Sequence, residues 1–350
     1  MINISRSESE YRKLLIDSSS SLKEFSLDRR KYYKKYVLNE KLTEEEDSKA
    51  AIVGRVVETL LFEKDKFDDR FYMSSLAKAP TGLMLEFVES LYRNTKAVTN
   101  EDGEITVEFE ELAKKAHVES GFKIKLEAVL GKFIGSDAEI YYKEIREIRA
   151  KGLTVVTTDD VTNAERVVEE LKTNEITSGT LNLVNSDRWN VYTQFQIENY
   201  EIDGLKLKSM MDWLVVDHKE KTIQVDDLKC VWAVEGFYEQ YYLYRRAYIQ
   251  AYLYKQAAYE FKEREGLEYY TVLNPRFIVC DSINYYQPLI YTLNSDDMDD
   301  AYNGFTHNGR HYPGVKQIIE DIKWAKENNI WNISKTNHIN NGIVNIKSKI

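Results

Sequence analysis

Residues 205–230 read LKLKSMMDWLVVDHKEKTIQVDDLKC, and this stretch decides the fold. Apolar and polar residues alternate on both sides of the polar segment DHKEK, with the period of two that is typical of β-strands. The preceding segment WNVYTQFQIENY, residues 189–200, alternates in the same way. The three segments together predict an antiparallel meander.

The turn of this hairpin sets the register of its strands. If the turn centres on Lys219 and Glu220, Asp212 lies directly opposite Asp227, with Cβ atoms about 4.5–5.5 Å apart. Lys229 is two residues beyond Asp227, so its side chain emerges on the same face of the sheet. This register brings two carboxylates and an amine to one place.

Two interpretations of this cluster remain open. Like charges opposite each other destabilise a sheet unless a positive group lies between them, and Mg²⁺ prefers a few carboxylates plus waters. A one-residue slip in the turn would instead separate the acids and leave them as ordinary exposed residues. The apolar surroundings, SMMDWLVV and IQVDDLKCVW, favour the metal site because acids in central strands need a partner.

Composition excludes several other classes of protein. The 350 residues carry a net charge of −10, whereas a nonspecific nucleic-acid coat protein would be basic. Two cysteines, Cys230 and Cys280, are too few for an iron–sulfur cluster or a four-cysteine zinc site, and we expect two free, buried thiols. Neither a signal-peptide core nor a membrane-length apolar run is present in the sequence, so we expect a cytoplasmic protein without membrane contact.

The rest of the chain reads as helices around this sheet. Helical spacing predicts a helix over 20–41, an apolar helix over 50–63 with Glu58 in its middle, and a helix of about 30 residues from Val234 that places Gln250 and Tyr254 on one face. Two further strands, NPRFIVCDSI and QPLIYTL, precede a last helix. We predict an α/β (α+β) fold: one domain, 1–350, with a core at about 20–75 and 189–330, a helical insertion at about 76–188 and a polar tail at 333–350.

An ordered set of four motifs carries a resemblance to a known superfamily. Gly54-x-x-x-Glu58, Met211-Asp212, Asp227-Leu228-Lys229 and Gln250-x-x-x-Tyr254 resemble the PD-(D/E)XK nucleases, with the RecB-like branch and the RecE-like and lambda-exonuclease-like phage-type enzymes most similar. The opening SLKEFSLDRRKYYKKYV is similar to the helix that begins many RecB-like domains. The resemblance covers roughly 20–63 and 189–290 and implies a restriction-endonuclease-like core: a central mixed sheet flanked by helices.

The resemblance implies a role for each motif. Asp212, Asp227 and the Leu228 carbonyl would bind Mg²⁺ or Mn²⁺, and Lys229 would be the catalytic lysine, with Gln250 and Tyr254 as the Q-x-x-x-Y helix. Glu58 stands where many RecB-like members have histidine, which favours a site made of oxygen ligands. The proline of the superfamily name does not precede Asp212, and the cysteines of the iron–sulfur members are missing, so no cluster is expected.

The implied activity is Mg²⁺-dependent hydrolysis of DNA phosphodiester bonds by an exonuclease of phage-type recombination or replication, acting in a bacterial host cell if phage-encoded. A structure- or sequence-specific endonuclease of the same fold and a noncatalytic DNA-binding or assembly protein remain alternatives. A recombination or single-strand annealing partner and a ring-shaped homo-oligomer are further expectations from the family.

A basic stretch in the first helix is the candidate DNA contact. An acidic chain must bring phosphates to a local positive surface. The richest such surface in the sequence is formed by Arg29, Arg30, Lys31, Lys34 and Lys35. Tyrosines lie between these residues and would stack on a frayed base; the alternative is that the tyrosines are core and the charges only solvated.

Overall fold

A computed structural model describes residues 6–40, 49–100, 102–282 and 284–344. Lys41, the predicted end of the first helix, and residues 345–350 of the predicted tail lie outside these ranges. Within them the chain is a mixture of helices and strands, and the predicted α/β class is confirmed.

The helices and strands follow the predicted order. The α-helices are α1 (Glu8–Lys13), α2 (Ser19–Leu27), α3 (Arg29–Tyr32), α4 (Lys49–Phe62), α5 (Phe67–Arg70), α6 (Gly82–Ala97), α7 (Phe109–Glu119), α8 (Leu126–Phe133), α9 (Asp137–Ala150), α10 (Thr158–Thr173), α11 (Ser178–Leu181), α12 (Ala247–Arg264), α13 (Ser295–Asn303), α14 (Val315–Asn328) and α15 (Lys335–Ile339). The strands are β1 (Phe71–Met73), β2 (Thr154–Val156), β3 (Trp189–Ile202), β4 (Leu205–Asp217), β5 (Thr222–Val231), β6 (Thr271–Val272), β7 (Arg276–Asp281), β8 (Leu289–Thr292), β9 (Phe305–His307) and β10 (Arg310–Tyr312).

The chain divides into two compact units. The sheet unit comprises residues 1–47 and 169–350, and the helical unit comprises residues 48–168. The helical unit begins earlier than the predicted limit of the insertion at 76. The reason is that β1 pairs in parallel with β2 and the Ser74 N–H donates to the carbonyl of Val156, so this segment is tied to the helices that follow it.

The sheet unit is built on one mixed sheet, as predicted. Its strand order is β3-β4-β5-β7-β8, with β6 beside β5. The three strands β3, β4 and β5 form the predicted antiparallel meander, β7 runs parallel to β5, and β8 is antiparallel to β7. Buried side chains of α2, α12 and α14, among them Leu22, Tyr248 and Ile319, belong to the same hydrophobic core as the sheet.

The predicted hairpin register is confirmed. The paired residues of β4 and β5 run from Asp217↔Thr222 to Trp213↔Asp226, and in each pair the two numbers sum to 439, as the turn at Lys219 and Glu220 requires. The Asp217 carboxylate accepts hydrogen bonds from the backbone N–H groups of Lys219 and Glu220. These bonds fix the tight turn and with it the face on which every side chain of β5 emerges.

Two helices that were predicted to be continuous are interrupted in the structure. The helix predicted over 20–41 is interrupted at Asp28, whose carboxylate accepts from the N–H groups of Arg30 and Lys31 and begins α3. A π-helical segment, Tyr33–Val37, follows. The helix of about 30 residues predicted from Val234 is likewise divided into a π-helical segment, Tyr238–Tyr244, and α12, separated by Arg246 in a left-handed backbone conformation. Local capping and backbone geometry override a continuous apolar pattern in both places.

The helical unit has its own hydrophobic core. Phe87 and Leu91 of α6, Phe133 of α8 and Ile145 of α9 are fully buried in it. This agrees with the helical insertion predicted at about 76–188. In the described ranges of both units, none of the helices has the length and apolar character needed to cross a membrane.

Candidate active site

The site lies where β4 and β5 stop pairing with each other. Their ladder ends at Trp213↔Asp226, and from Asp226 onward β5 pairs with β7. At this point the Asp212 Oδ2 atom accepts a hydrogen bond of 3.0 Å from the Leu228 N–H. The side chain of Asp212 therefore reaches across to the strand that carries Asp227, as the register predicts.

Asp227 is the buried acid of the site. It is 1% exposed, its Oδ1 atom accepts a 2.7 Å hydrogen bond from Gln250 Nε2, and its Oδ2 atom forms an ion pair with Lys229 Nζ. Lys229 keeps part of its side chain exposed. A buried carboxylate needs such partners because desolvation otherwise disfavours its charge. The structure thus brings Asp212, Asp227 and Lys229 together.

The neighbouring acid, Asp226, has a different function in the fold. It is also 1% exposed, but its two oxygens accept hydrogen bonds of 2.7 and 2.8 Å from Nε and Nη2 of Arg276 on β7. Burial raises the pKa of Asp226, and the Arg276 guanidinium opposes that rise. Adjacent strand residues point to opposite faces, so only one acid of the Asp226-Asp227 pair can lie beside Lys229.

Helix α12 contributes the amide and the phenol that complete this network. Gln250 Nε2 also lies 2.8 Å from the Tyr254 hydroxyl, which donates to the Met210 carbonyl at 2.7 Å. Burial, with the nearby carboxylates of Asp212 and Asp227, raises the pKa of Tyr254 well above its usual value. Tyr254 therefore stays protonated, and the predicted placement of Gln250 and Tyr254 on one helix face is confirmed.

Sequence reasoning missed one member of the network, Lys23 on α2. Its Nζ atom donates a 2.8 Å hydrogen bond to Gln250 Oε1, although 227 residues separate the two in sequence. Burial lowers the pKa of Lys23 to about 7; the charge of Lys229 lowers it as well, and Asp227 opposes both effects. The single sequence signal is its position between the buried residues Leu22 and Phe25, which places it near the inner face of the helix.

The basic stretch is only partly available for DNA. Arg29 forms an ion pair with Asp321, and Lys31 lies 3.4 Å from Glu24, whereas Arg30, Lys34 and Lys35 are exposed. The side chain of Tyr32 is 1% exposed and belongs to the core, so the base-stacking interpretation was wrong for this tyrosine. DNA contact by the exposed cations stays a prediction.

The predicted third ligand belongs to the other unit. Glu58 is a half-buried residue of α4, in the helical unit, and its assignment as a metal ligand stays a prediction. Glu63, the other acid near the end of this helix, forms ion pairs with Lys66 and Arg70. These ion pairs give Glu63 a structural role within its own unit.

The two cysteines lie side by side on neighbouring strands. Cys230 of β5 pairs with Cys280 of β7, and their Sγ atoms are 3.3 Å apart without a disulfide. Cys280 is buried and Cys230 is half-buried. The prediction of two free thiols is confirmed, although only one of them is fully buried.

The donor set of the sheet unit fits a hard divalent cation. Asp212 and Asp227 supply carboxylate oxygens, and the carbonyl of Leu228, the residue after Asp227, lies 3.5 Å from Lys229 Nζ. Mg²⁺ is commonly held by one or two carboxylates and retains several waters. In the described parts of the chain, no group of three or more His, Cys, Asp or Glu side chains is arranged to hold a metal ion, so the two acids would need the Leu228 carbonyl and water as further ligands.

Comparison with known proteins adds little to this geometry. No protein-family model matches the sequence, and no curated protein matches it significantly. A crystal structure described as a "putative exonuclease" from Eubacterium rectale is similar over 85% of this chain and 81% of its own, at 12% sequence identity and a TM-score of 0.42. A likeness at this level assigns no function to this chain.

Proposed function

We propose that this chain is a divalent-metal-dependent DNA nuclease, and specifically an exonuclease. The observation that carries the proposal is the convergence of the Asp212 carboxylate with the buried Asp227–Lys229 ion pair at the end of the β4–β5 ladder. Burying a carboxylate in a sheet is unfavourable unless it has a partner, and an ion pair that only stabilises the fold needs a single carboxylate. Asp226 with Arg276 is such a pair, whereas Asp212 and Asp227 both lie where the β4–β5 ladder ends.

The residues of the site suit hydrolysis of a phosphodiester. When bound, Mg²⁺ or Mn²⁺ would polarise the phosphate and lower the pKa of an attacking water. Asp212, Asp227 and the Leu228 carbonyl would hold that ion. Lys229, partly exposed beside Asp227, would stabilise the negative charge that develops on the phosphate oxygens.

Gln250, Lys23 and Tyr254 hold the Asp227 carboxylate in position for metal binding. Gln250 donates to one oxygen of Asp227, and its own carbonyl is held by Lys23. The buried Tyr254 fixes the other side of the amide. These bonds restrict the carboxylate to one orientation, which is what a ligand needs for ordered metal binding.

Cleavage of end-labelled linear DNA and of closed-circular DNA, each with Mg²⁺ or with EDTA, tests the proposal. We expect Mg²⁺-dependent loss of the linear substrate only. Asp227→Asn and Lys229→Met should abolish the activity with unchanged circular dichroism. Lys219→Met, which changes an exposed lysine in the turn of the same hairpin, serves as the matched control.

Each alternative function has its own outcome in this experiment. Mg²⁺-dependent cutting of the closed circle would identify an endonuclease. DNA binding without cleavage under any metal would identify a noncatalytic protein. Full activity of Asp227→Asn or of Lys229→Met would refute the site.

A further inference from the structure

Arg246 is a buried arginine whose side chain has no partner among the described residues. The residue is 9% exposed, and its Nη1 atom is fully buried with no hydrogen-bond partner. Among the described residues, neither a hydrogen bond nor an ion pair involves its side chain, in contrast to Arg276, which is paired with Asp226. A guanidinium removed from water without an acceptor is unfavourable, so a partner from outside the chain would be stabilising.

The backbone at Arg246 is also unfavourable for arginine. Its φ and ψ angles are 57° and 43°, in the left-handed region that favours glycine and asparagine. The residue stands immediately before α12 as its N-cap, and its side chain makes no capping hydrogen bond. The first N–H groups of an α-helix point outward and carry partial positive charge, which attracts anions.

A second arginine lies next to this helix end. Arg310 is an exposed residue of β10 whose guanidinium lies over the Tyr312 ring, 5.3 Å from its centroid. The β9–β10 hairpin packs on the first turn of α12: Tyr248 contacts Phe305 with ring centroids 5.3 Å apart, and its hydroxyl donates to the Pro313 carbonyl at 3.1 Å.

The ionisable neighbours of Arg246 are one arginine and two tyrosines. Burial lowers the pKa of Arg246; Arg310 lowers it as well, and Tyr248 and Tyr312 oppose these effects. None of these three neighbours is a carboxylate. Two guanidinium groups near each other produce a local positive field in an acidic chain.

We propose that Arg246, Arg310 and the N-terminus of α12 form a phosphate-binding site. A planar guanidinium matches the oxygens of a phosphate and binds them with two parallel hydrogen bonds, and a helix N-terminus adds backbone donors. The buried Arg246 would hold the phosphate from below and the exposed Arg310 from the hairpin. This site is distinct from the carboxylate cluster.

Two sources could supply such a phosphate: a nucleic acid strand or free inorganic phosphate. Arg246 precedes Gln250 by four residues, which is one helical turn and about 6 Å along the axis. Gln250 holds Asp227, so a strand bound at the carboxylates would pass close to this helix end. The path of such a strand rests on the proposed nuclease function, whereas the phosphate site itself does not.

Binding measured by calorimetry in EDTA, where no metal-dependent cleavage occurs, tests the proposal. The probes are inorganic phosphate and a 12-nucleotide single strand, with and without a 5′-phosphate. The variants are Arg246→Asn, which suits the left-handed backbone and removes the charge, and Arg310→Gln on the exposed hairpin. The matched control is Arg245→Gln, since the exposed Arg245 stacks on Tyr241 at 4.5 Å and belongs to no proposed site.

We expect both variants to weaken binding of at least one probe by about tenfold or more, which corresponds to the loss of a charge-assisted contact. The control should stay within about twofold of the wild type. Weakening of the oligonucleotide identifies a strand as the source, and weakening of inorganic phosphate alone identifies the free ion. The proposal is overturned if the wild-type chain binds neither probe, if both variants bind as the wild type does, or if Arg245→Gln weakens binding equally.

The experiment separates this proposal from the nuclease proposal. Cleavage can fail in Mg²⁺ while phosphate binding in EDTA still depends on Arg246. The reverse result is also possible, with normal cleavage and no phosphate binding. Should Arg246→Asn not fold, Arg310→Gln decides the matter because the exposed guanidinium of Arg310 is not part of the core.

Discussion

Replacement of Gln250 by methionine is the sharpest test of the network around Asp227. The amide of Gln250 accepts from Lys23 Nζ at 2.8 Å and donates to Asp227 Oδ1 at 2.7 Å and to the Tyr254 hydroxyl at 2.8 Å. Methionine has nearly the same length and a similar helix propensity, but it can replace none of these bonds. The change therefore removes hydrogen bonds and leaves helix and volume almost unaltered.

The expected loss of stability follows from the partners involved. Hydrogen bonds to charged groups contribute roughly 1.5–3 kcal/mol each and neutral ones about 1 kcal/mol. Asp227 is 1% exposed, so water cannot replace the lost donor, although the ion pair with Lys229 remains. We expect Gln250→Met to lower the free energy of unfolding by about 3 kcal/mol, since such contributions are not additive.

Tryptophan fluorescence during urea unfolding can measure this loss. All five tryptophans lie in the sheet unit, so their signal reports the unfolding of that unit alone. Gln256→Met is the matched control: Gln256 lies on the same helix and is half-buried, and its side chain makes no hydrogen bond within the described residues. A difference of less than about 0.5 kcal/mol between the two variants would refute the reasoning, because this is the usual size of an effect with no specific contact.

Two further predictions concern neighbouring charges. Asp226→Asn breaks the buried pair with Arg276 and should lower the free energy of unfolding by about 3 kcal/mol in the same urea experiment. Asp227→Asn should reduce cleavage more than it reduces stability. If Asp226→Asn instead abolished cleavage and Asp227→Asn mainly lowered stability, the roles assigned to the two acids would be exchanged. The pKa of Lys23 is about 7 in the folded chain, below the ordinary value of 10.5. Between these two pH values the unfolded chain binds more protons than the folded chain, so the free energy of unfolding rises with pH in this range. Lys23→Met should flatten the rise between about pH 7 and pH 9.5, and an unchanged slope would show that Lys23 is not desolvated.

The sequence was sufficient to predict the hairpin, its register and the placement of Asp212, Asp227 and Lys229 near each other because those features depend on local rules. A short polar turn, DHKEK, fixes the register, and the period of two then decides which side chains share a face. The same rules placed Asp227 beside Lys229 but gave Asp226 no partner, since that partner is Arg276, 50 residues away on β7. Lys23 was missed for the same reason, because its contact with Gln250 exists only once α2 and α12 are packed. The interruptions at Asp28 and Arg246 were missed because apolar periodicity continues through both, while the backbone does not.

The direction of every hydrogen bond around Gln250 follows from the chemistry of its partners. Below the Lys23 pKa of about 7, its ammonium group can only donate, so the Gln250 atom that faces it is the carbonyl oxygen. The amide nitrogen then faces Asp227, which can only accept while it is ionised, and Tyr254, whose own proton is directed to the Met210 carbonyl. A glutamate at 250 could not donate to Asp227, and an apolar residue could not join the two charges at all. Glutamine is therefore the side chain that orients the Asp227 carboxylate while it connects α2, β5 and α12, and a fixed orientation is what the proposed metal would need.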